Sequence, residues 1–198
     1  MGILDEKVVL ITGTGGGMGR VAALIFAREG AKVVGVDIQV DGNAETADLV
    51  LRAGGEMTSI APVDLTDPDQ VHHMVEDAAK AYGGLDVVYN NAAMVRFGPM
   101  PDFSIEDWRV TVAGELDIPF FVSKYAWPHL VRRGGGAIIN VASEAGLIAG
   151  STPPDGRPHR GQRRRHRNDT AARPRRRPPQ NPRSGDQPRP GPDPRQRP

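Results

Sequence analysis

Two parts of the chain hold residue types suited to a phosphorylated, hydroxyl-bearing ligand. The first is "TGTGGGMG", residues 12–19. Gly13, Gly17 and Gly19 let the backbone pass close to a pyrophosphate, with Thr12 and Met18 between and beside them. A helix starting there would aim its free N–H groups and the positive end of its dipole at the phosphates. The second is a pair of aspartates. Asp37 stands 18 residues beyond Gly19, where a carboxylate can accept both ribose hydroxyl protons of an adenosine. The same charge repels a 2′-phosphate, so NAD is favoured over NADP. Asp64 is placed to reach the adenine amino group, with a cap for the following helix as the alternative.

These residues need a scaffold, and the pattern around them supplies one. Residues 8–12 form a short, β-branched apolar run that reads as a buried strand. From Gly19 the spacing turns helical through Val21, Leu24, Ile25 and Arg28, with Gly30 as a stop. A second strand is expected over 31–37, a helix over 44–52, a third strand over 57–64 and a helix from Asp67-Pro68 to about Tyr82. Residues 85–92 read as a fourth strand. Ser104 can cap a long helix holding Trp108, Val112, Leu116 and Phe120, and 136–143 read as a fifth strand. Alternating strands and helices imply parallel βαβ units. The expected fold is therefore an α/β doubly wound, Rossmann-like parallel sheet, with a ligand crevice beyond the C-terminal ends of its strands.

Other polar or aromatic residues point elsewhere. His72 and His73 read as a solvated helix face rather than metal ligands. Trp108 and Trp127 read as core or helix-packing residues. Lys124 and Tyr125 are adjacent on a helix and are expected to point apart, and Arg20 is a weak phosphate candidate.

Composition divides the chain in two. Residues 1–150 carry 11 Lys/Arg against 20 Asp/Glu, a net −9, whereas residues 151–198 carry 14 Arg against 4 Asp, a net +10. The second part holds 12 of the 18 prolines and no Val, Ile, Leu, Met, Phe, Tyr or Trp. Such a segment has no apolar surface to bury against the entropy of ordering, so a disordered basic tail is expected after a nucleotide-binding domain over 1–150. Without cysteine there is no disulfide framework or thiolate metal site, and no metal is expected. No signal peptide or membrane-length apolar run is visible, which points to the cytoplasm.

Taken together, the motifs resemble those of the short-chain dehydrogenase/reductase family. "TGTGGGMG" is similar to its Thr-Gly-x-x-x-Gly-x-Gly, "DLTD" from Asp64 to its adenine-contacting segment, and "NVAS" to the strand bearing its catalytic serine. "NNAA" at 90–93 is similar to Asn-Asn-Ala-Gly, with Ala93 in place of the glycine. The resemblance implies an oxidoreductase passing hydride between NAD(H) and an alcohol or carbonyl compound. It implies cofactor contacts at Thr12, Gly13, Gly17, Met18, Gly19, Asp37, Asp64, Leu65, Asn90 and Ala92, and a catalytic role for Ser143. It implies homo-oligomers among intact relatives, paired through the long helix and the one after the fifth strand. It also implies a Tyr with a Lys four residues later, whose cation lowers the phenol pKa. Neither maps onto this chain: the last tyrosine is Tyr125 and the last lysine Lys124. The slot of the family's helix asparagine falls on Glu115.

The family places its Tyr and Lys shortly after residue 155, where the arginine–proline tract begins. Arg, Pro and Gly codons are G+C-rich, as out-of-frame reading of G+C-rich DNA tends to produce. Shifting the frame one base from Asp155 permits Met-Ala-Ala-His-Thr-Ala-Ala-Lys, then Gly-Gly-Val-Ile-Ala-Met-Thr-Arg-Gln-Leu-Ala-Leu-Glu-Gly. The expectation is a frame change near residue 155, leaving NAD binding as the most this chain does and exposing Phe120, Phe121 and Trp127. A non-catalytic NAD-binding module and an Arg-rich tail binding nucleic acid are the alternatives. The tail has no aromatic residue for base stacking, so nucleic acid is disfavoured.

Overall fold

Period-2 alternation along the first strand organises both faces of the sheet. In the structure, a computed structural model, β1 (Val8–Thr12) is buried at all five positions. Val8 and Leu10 join one core cluster, and Val9 and Ile11 join another. A strand buried on both sides belongs in the middle of a parallel sheet. The observed order is β3-β2-β1-β4-β5, where β2 is Lys32–Val36, β3 Glu56–Ile60, β4 Val87–Asn90 and β5 Ala137–Asn140. Every pairing is parallel, and Val9 sits opposite Val33 on one side and Val87 on the other. Helices α1 (Gly17–Arg28) and α2 (Val40–Arg52) cover one face through Ala23, Ala27, Ala47 and Val50. Helices α3 (Pro68–Tyr82) and α5 (Ile118–Arg132) cover the other through Val71, Val75, Val122 and Ala126. This is the doubly wound Rossmann-like fold expected from the sequence.

The structure describes residues 2–143. The chain divides into two units, Met1–Gly150 and Ser151–Pro198; the second, with the expected disordered tail and frame change, lies outside the described residues. No helix among those described is long and apolar enough to cross a membrane.

Several boundaries differ from expectation for identifiable reasons. Helix α2 begins at Val40, not Ala44. Gly42 looks like a helix breaker, but a Cβ there would collide with the Gly15 carbonyl oxygen, so glycine lets α2 approach the glycine-rich turn. Strand β3 ends at Ile60 rather than Asp64, because Pro62 has no N–H to continue the ladder. The long helix capped by Ser104, whose Oγ accepts the Asp107 N–H at 3.0 Å, is interrupted. After α4 (Ile105–Val112) comes a π turn at Ala113–Asp117, in which Ile118 N–H reaches back to the Ala113 carbonyl. Pro119 cannot donate the bond that Glu115 O would accept in an α-helix, so the turn widens.

The β5 flank differs from the rest. Ile139 and Val141 are exposed, and β5 pairs only with β4 among the described residues. Trp108 and Trp127 are 59% and 62% exposed on the outer face of α4 and α5, so of the core and helix-packing readings the core one fails, while the exposure of Trp127 agrees with the break expected near residue 155. Phe120 is exposed as expected, but Phe121 is half-buried against the core.

At the opposite end of the sheet from the glycine-rich turn, charged residues tie the layers together. Asp86 Oδ2 accepts from the Val8 N–H at 3.0 Å and the Arg133 guanidinium at 2.9 Å. Burial alone would raise its pKa; the Arg133 and Val8 hydrogen bonds and the nearby Arg133 and Lys7 charges outweigh that and hold it below the usual aspartate range. His129, buried in α5, bonds Glu76 of α3 at 2.9 Å, and this bond holds the Glu76 carboxyl below its usual range.

Candidate nucleotide-binding site

The turn between β1 and α1 is shaped by close approach. Gly13 adopts φ +76° and Gly17 φ +52°, left-handed values that favour glycine. A Cβ on Gly19 would collide with the Gly13 carbonyl, whereas Gly16 and Gly17 face open space. No side chain caps α1, and the N–H groups of Gly17, Met18 and Gly19 find no acceptor among the described residues. Uncapped donors at a helix N-terminus, beside glycines that leave room, form a cradle for an anion.

A buried polar network holds this turn in place. Thr14 Oγ1 bonds Asn43 Oδ1, and Asn43 Nδ2 donates to the Gly35 carbonyl at 3.0 Å and the Ile60 carbonyl at 3.3 Å. Thr46 Oγ1 donates to the Thr14 carbonyl at 2.7 Å. Arg20 completes it, donating to Thr46 Oγ1 at 3.0 Å, the Gly15 carbonyl at 3.0 Å and Glu45 at 2.7 Å. Arg20 is thus a brace between α1 and α2, which corrects its reading as a phosphate contact. The sequence reading missed Thr14, Asn43 and Thr46, although Asn and Thr early in a helix beside a glycine-rich turn were a usable signal.

A cleft of ≈ 540 Å³ opens beyond the strand ends. Of the expected contacts, Gly13, Gly17, Met18, Asp37, Asp64, Leu65 and Ala92 line it. Thr12, Gly19 and Asn90 do not; they shape it from behind. Thr12 Oγ1 accepts the N–H groups of Asn91 and Ala92, both at 3.0 Å. Asn90 Nδ2 donates to Asn140 Oδ1 at 2.8 Å and Ser123 Oγ at 3.2 Å, tying β4 to β5 and α5. Asn91, not singled out from the sequence, lines the cleft, as do Thr66 and Met94.

Asp37 sits just past β2, largely buried but facing the cleft. Its carboxylate accepts the Gly15 N–H at 2.7 Å and the Gln39 N–H at 2.8 Å, so it is fixed in orientation while each oxygen keeps a further lone pair. Asp64 Oδ1 accepts from Thr66 N at 2.9 Å and Thr66 Oγ1 at 2.7 Å, forming a local turn. The cap of α3 is Asp67, so the capping alternative for Asp64 fails. Ser143 is exposed three residues beyond β5, and Glu115 is exposed within the π turn. Neither lines the cleft. Lys124 Nζ lies 5.4 Å from the Tyr125 ring centre, so these neighbours touch rather than diverge. His72 and His73 are exposed, with the His72 ring stacked on Tyr125 at 4.8 Å.

A dinucleotide fits these residues. The uncapped α1 donors suit a pyrophosphate, Asp37 suits a diol, and the cleft wall at Val63, Leu65 and Ile118 suits a flat ring. The buried amide oxygens of Asn90 and Asn91 have no donor among the described residues.

Comparison with known proteins agrees with this geometry. The family model for short chain dehydrogenases matches residues 7–153. The chain is 43% identical to an uncharacterized oxidoreductase of Thermotoga maritima over 142 residues, covering 72% of this chain and 55% of that protein. It is 39% identical to meso-2,3-butanediol dehydrogenase of Serratia marcescens, covering 72% and 55%. A solved 7α-hydroxysteroid dehydrogenase, in complex with NADH and 7-oxo glycochenodeoxycholic acid, superposes with TM-score 0.69 at 29% identity, covering 73% of this chain and 57% of that one. The chain thus spans little more than half the length of these relatives. With three quarters of its residues matched by the family model, the chain belongs to the short-chain dehydrogenases.

Proposed function

We propose that residues 2–143 bind NAD(H) in the cleft beyond β1, β2 and β4, and that the fold descends from an enzyme oxidising alcohols or reducing carbonyl compounds. One observation carries the choice of cofactor: Asp37 is held by two backbone N–H groups at the edge of the cleft. A fixed carboxylate there accepts hydroxyl protons from an unmodified ribose and repels a phosphate on it. The N-terminal turn of α1 holds the pyrophosphate, and Leu65 and Val63 flank the adenine, with Asp64 at its polar edge. NADH in a solved relative supports the same assignment.

When bound, the nicotinamide supplies or accepts hydride. In this reading Ser143 orients and polarises the substrate oxygen by hydrogen bonding. Moving the proton needs a second group, and no Tyr follows Tyr125 and no Lys follows Lys124. NAD binding without appreciable turnover is therefore the function assigned to this chain. A cyclohexanol dehydrogenase of Acinetobacter sp. at 34% identity supports an alcohol as the ancestral substrate class.

Thermal-shift titration of the full chain with NAD and NADP tests the reading. NAD should raise Tm in a saturable way and NADP should not. An equal or larger shift with NADP overturns the Asp37 argument, and normal turnover of a secondary alcohol overturns the loss of catalysis.

A further inference from the structure

The nucleotide cleft lies at the C-terminal ends of the strands. A second cavity, of ≈ 290 Å³, lies at the other end, between the last turns of α3 and α5. Its charge opposes that of the domain around it. Residues 1–150 carry 11 Lys/Arg against 20 Asp/Glu, yet three of those cations, Lys80, Arg132 and Arg133, line this one cavity. Glu76 is the one carboxylate among its lining residues, which leaves a net +2.

These cations are unequally engaged. Arg133 donates to Asp86 at 2.9 Å and is anchored there. Lys80 Nζ stands 3.3 Å from Asp77 on the exposed face of α3, a pair weakened by solvent. Arg132 Nη2 meets a ring nitrogen, His129 Nδ1, at 2.7 Å, because Nε2 of that buried imidazole is turned to Glu76. Arg132 therefore has a fixed place but no carboxylate partner among the described residues, and most of its N–H donors are unused.

The backbone adds further donors. Gly83 ends α3 at φ +78°, after a right-handed turn, and a left-handed residue following a right-handed one aims neighbouring N–H groups at one point. The N–H groups of Gly83, Gly84 and fully buried Leu85 have no acceptor among the described residues. A Cβ on Gly84 would lie 2.6 Å from Arg133 Cδ, so the glycine lets that side chain lie against the turn. The C-terminal dipoles of α3 and α5 oppose an anion, but at about −0.5 each they do not cancel the side-chain charge.

We propose that this cavity binds a phosphate-sized oxyanion, held by Arg132, Lys80 and the Gly83–Gly84 N–H groups, at a site separate from the nucleotide cleft. A dianionic phosphate takes bidentate donation from a guanidinium and bonds from several N–H groups at once. Bound there, it joins the C-terminal ends of α3 and α5, so occupancy stabilises the helices that cover one face of the sheet.

Thermal-shift titration of the full chain with inorganic phosphate, at ionic strength held constant with sodium chloride, should raise Tm in a saturable way. Lys80→Gln with Arg132→Gln, both exposed, should leave the fold intact and any NAD-dependent shift as it was, while weakening phosphate binding roughly tenfold or more. Met18→Glu, which puts a carboxylate in the nucleotide cleft, should leave the phosphate response unchanged. The arginines after residue 150 are the same in every variant. An equal phosphate response in the double variant, its loss in Met18→Glu, or no response beyond the chloride control overturns the site. Glycerol 3-phosphate in place of phosphate identifies the source: tighter binding than phosphate assigns an esterified ligand, and equal or weaker binding assigns free phosphate.

Discussion

The two flanks of the sheet differ in what they bury. Around β1, β2 and β4, valines and leucines are inaccessible, and polar Thr14, Asn43 and Thr46 are fully buried yet bonded to one another or to backbone carbonyls. Around β5 and the outer face of α5, large apolar residues are exposed while the sheet edge is unpaired among the described residues. The first region is a finished interior. The second has the residue types of an interior, and no described residue covers them, which suits a neighbour better than solvent. Stability and nucleotide binding should therefore depend on the first region far more than on the second.

The sharpest test substitutes apolar residues on either side. Leu10→Ala in β1 removes a fully buried side chain and should cost about 2–5 kcal/mol in urea unfolding, whereas Ile139→Ala in β5 should cost less than about 1 kcal/mol. Equal costs would mean that β5 is covered in solution. Next in size is Asn43→Ala, which leaves buried partners of the Thr14–Gly35–Ile60 network unsatisfied. It should cost about 1–3 kcal/mol and weaken NAD binding by loosening the turn. Unchanged NAD affinity would separate the network from the site.

Acid sensitivity should also track the finished region. The Asp86 carboxyl titrates below its ordinary range when folded, so its contribution is present above that range. It is lost as pH falls below about 4 through the lowered folded value. Asp86→Asn should flatten the acid limb of stability against pH, and an unchanged limb would place the acid-labile bond elsewhere. The smallest effect on folding is expected from Phe120→Lys with Trp127→Lys, under about 0.5 kcal/mol each. The same pair should visibly reduce light scattering at high concentration. A large loss of Tm would show that these rings are packed.

Much of this contrast was legible in the residues. The β-branched runs, the glycines before α1 and Asp37 at the end of β2 specify local geometry through local chemistry, and the structure places them together. Asp67-Pro68 and Ser104 started helices as expected because caps act on their own first turn. What could not be read depended on distant partners. The start of α2 at Val40 rather than Ala44 depends on Gly42 lying against the Gly15 carbonyl. Arg20 read as a weak phosphate candidate until Thr46 and Glu45 came into reach. Trp108 read as core or helix-packing because periodicity reports which face is apolar, not whether anything lies against it. Asn90 and Asn91 are adjacent in sequence, and only the strand end decides that the first turns to Ser123 and Asn140 and the second to the cleft.

Strand order has a consequence for synthesis on the ribosome. The strand made first lies at the centre, and by Asn90 its neighbours on both sides have emerged. Every phosphate- and ribose-facing group assigned above precedes that point. Any change downstream of codon 150 therefore leaves every residue of the proposed nucleotide pocket encoded.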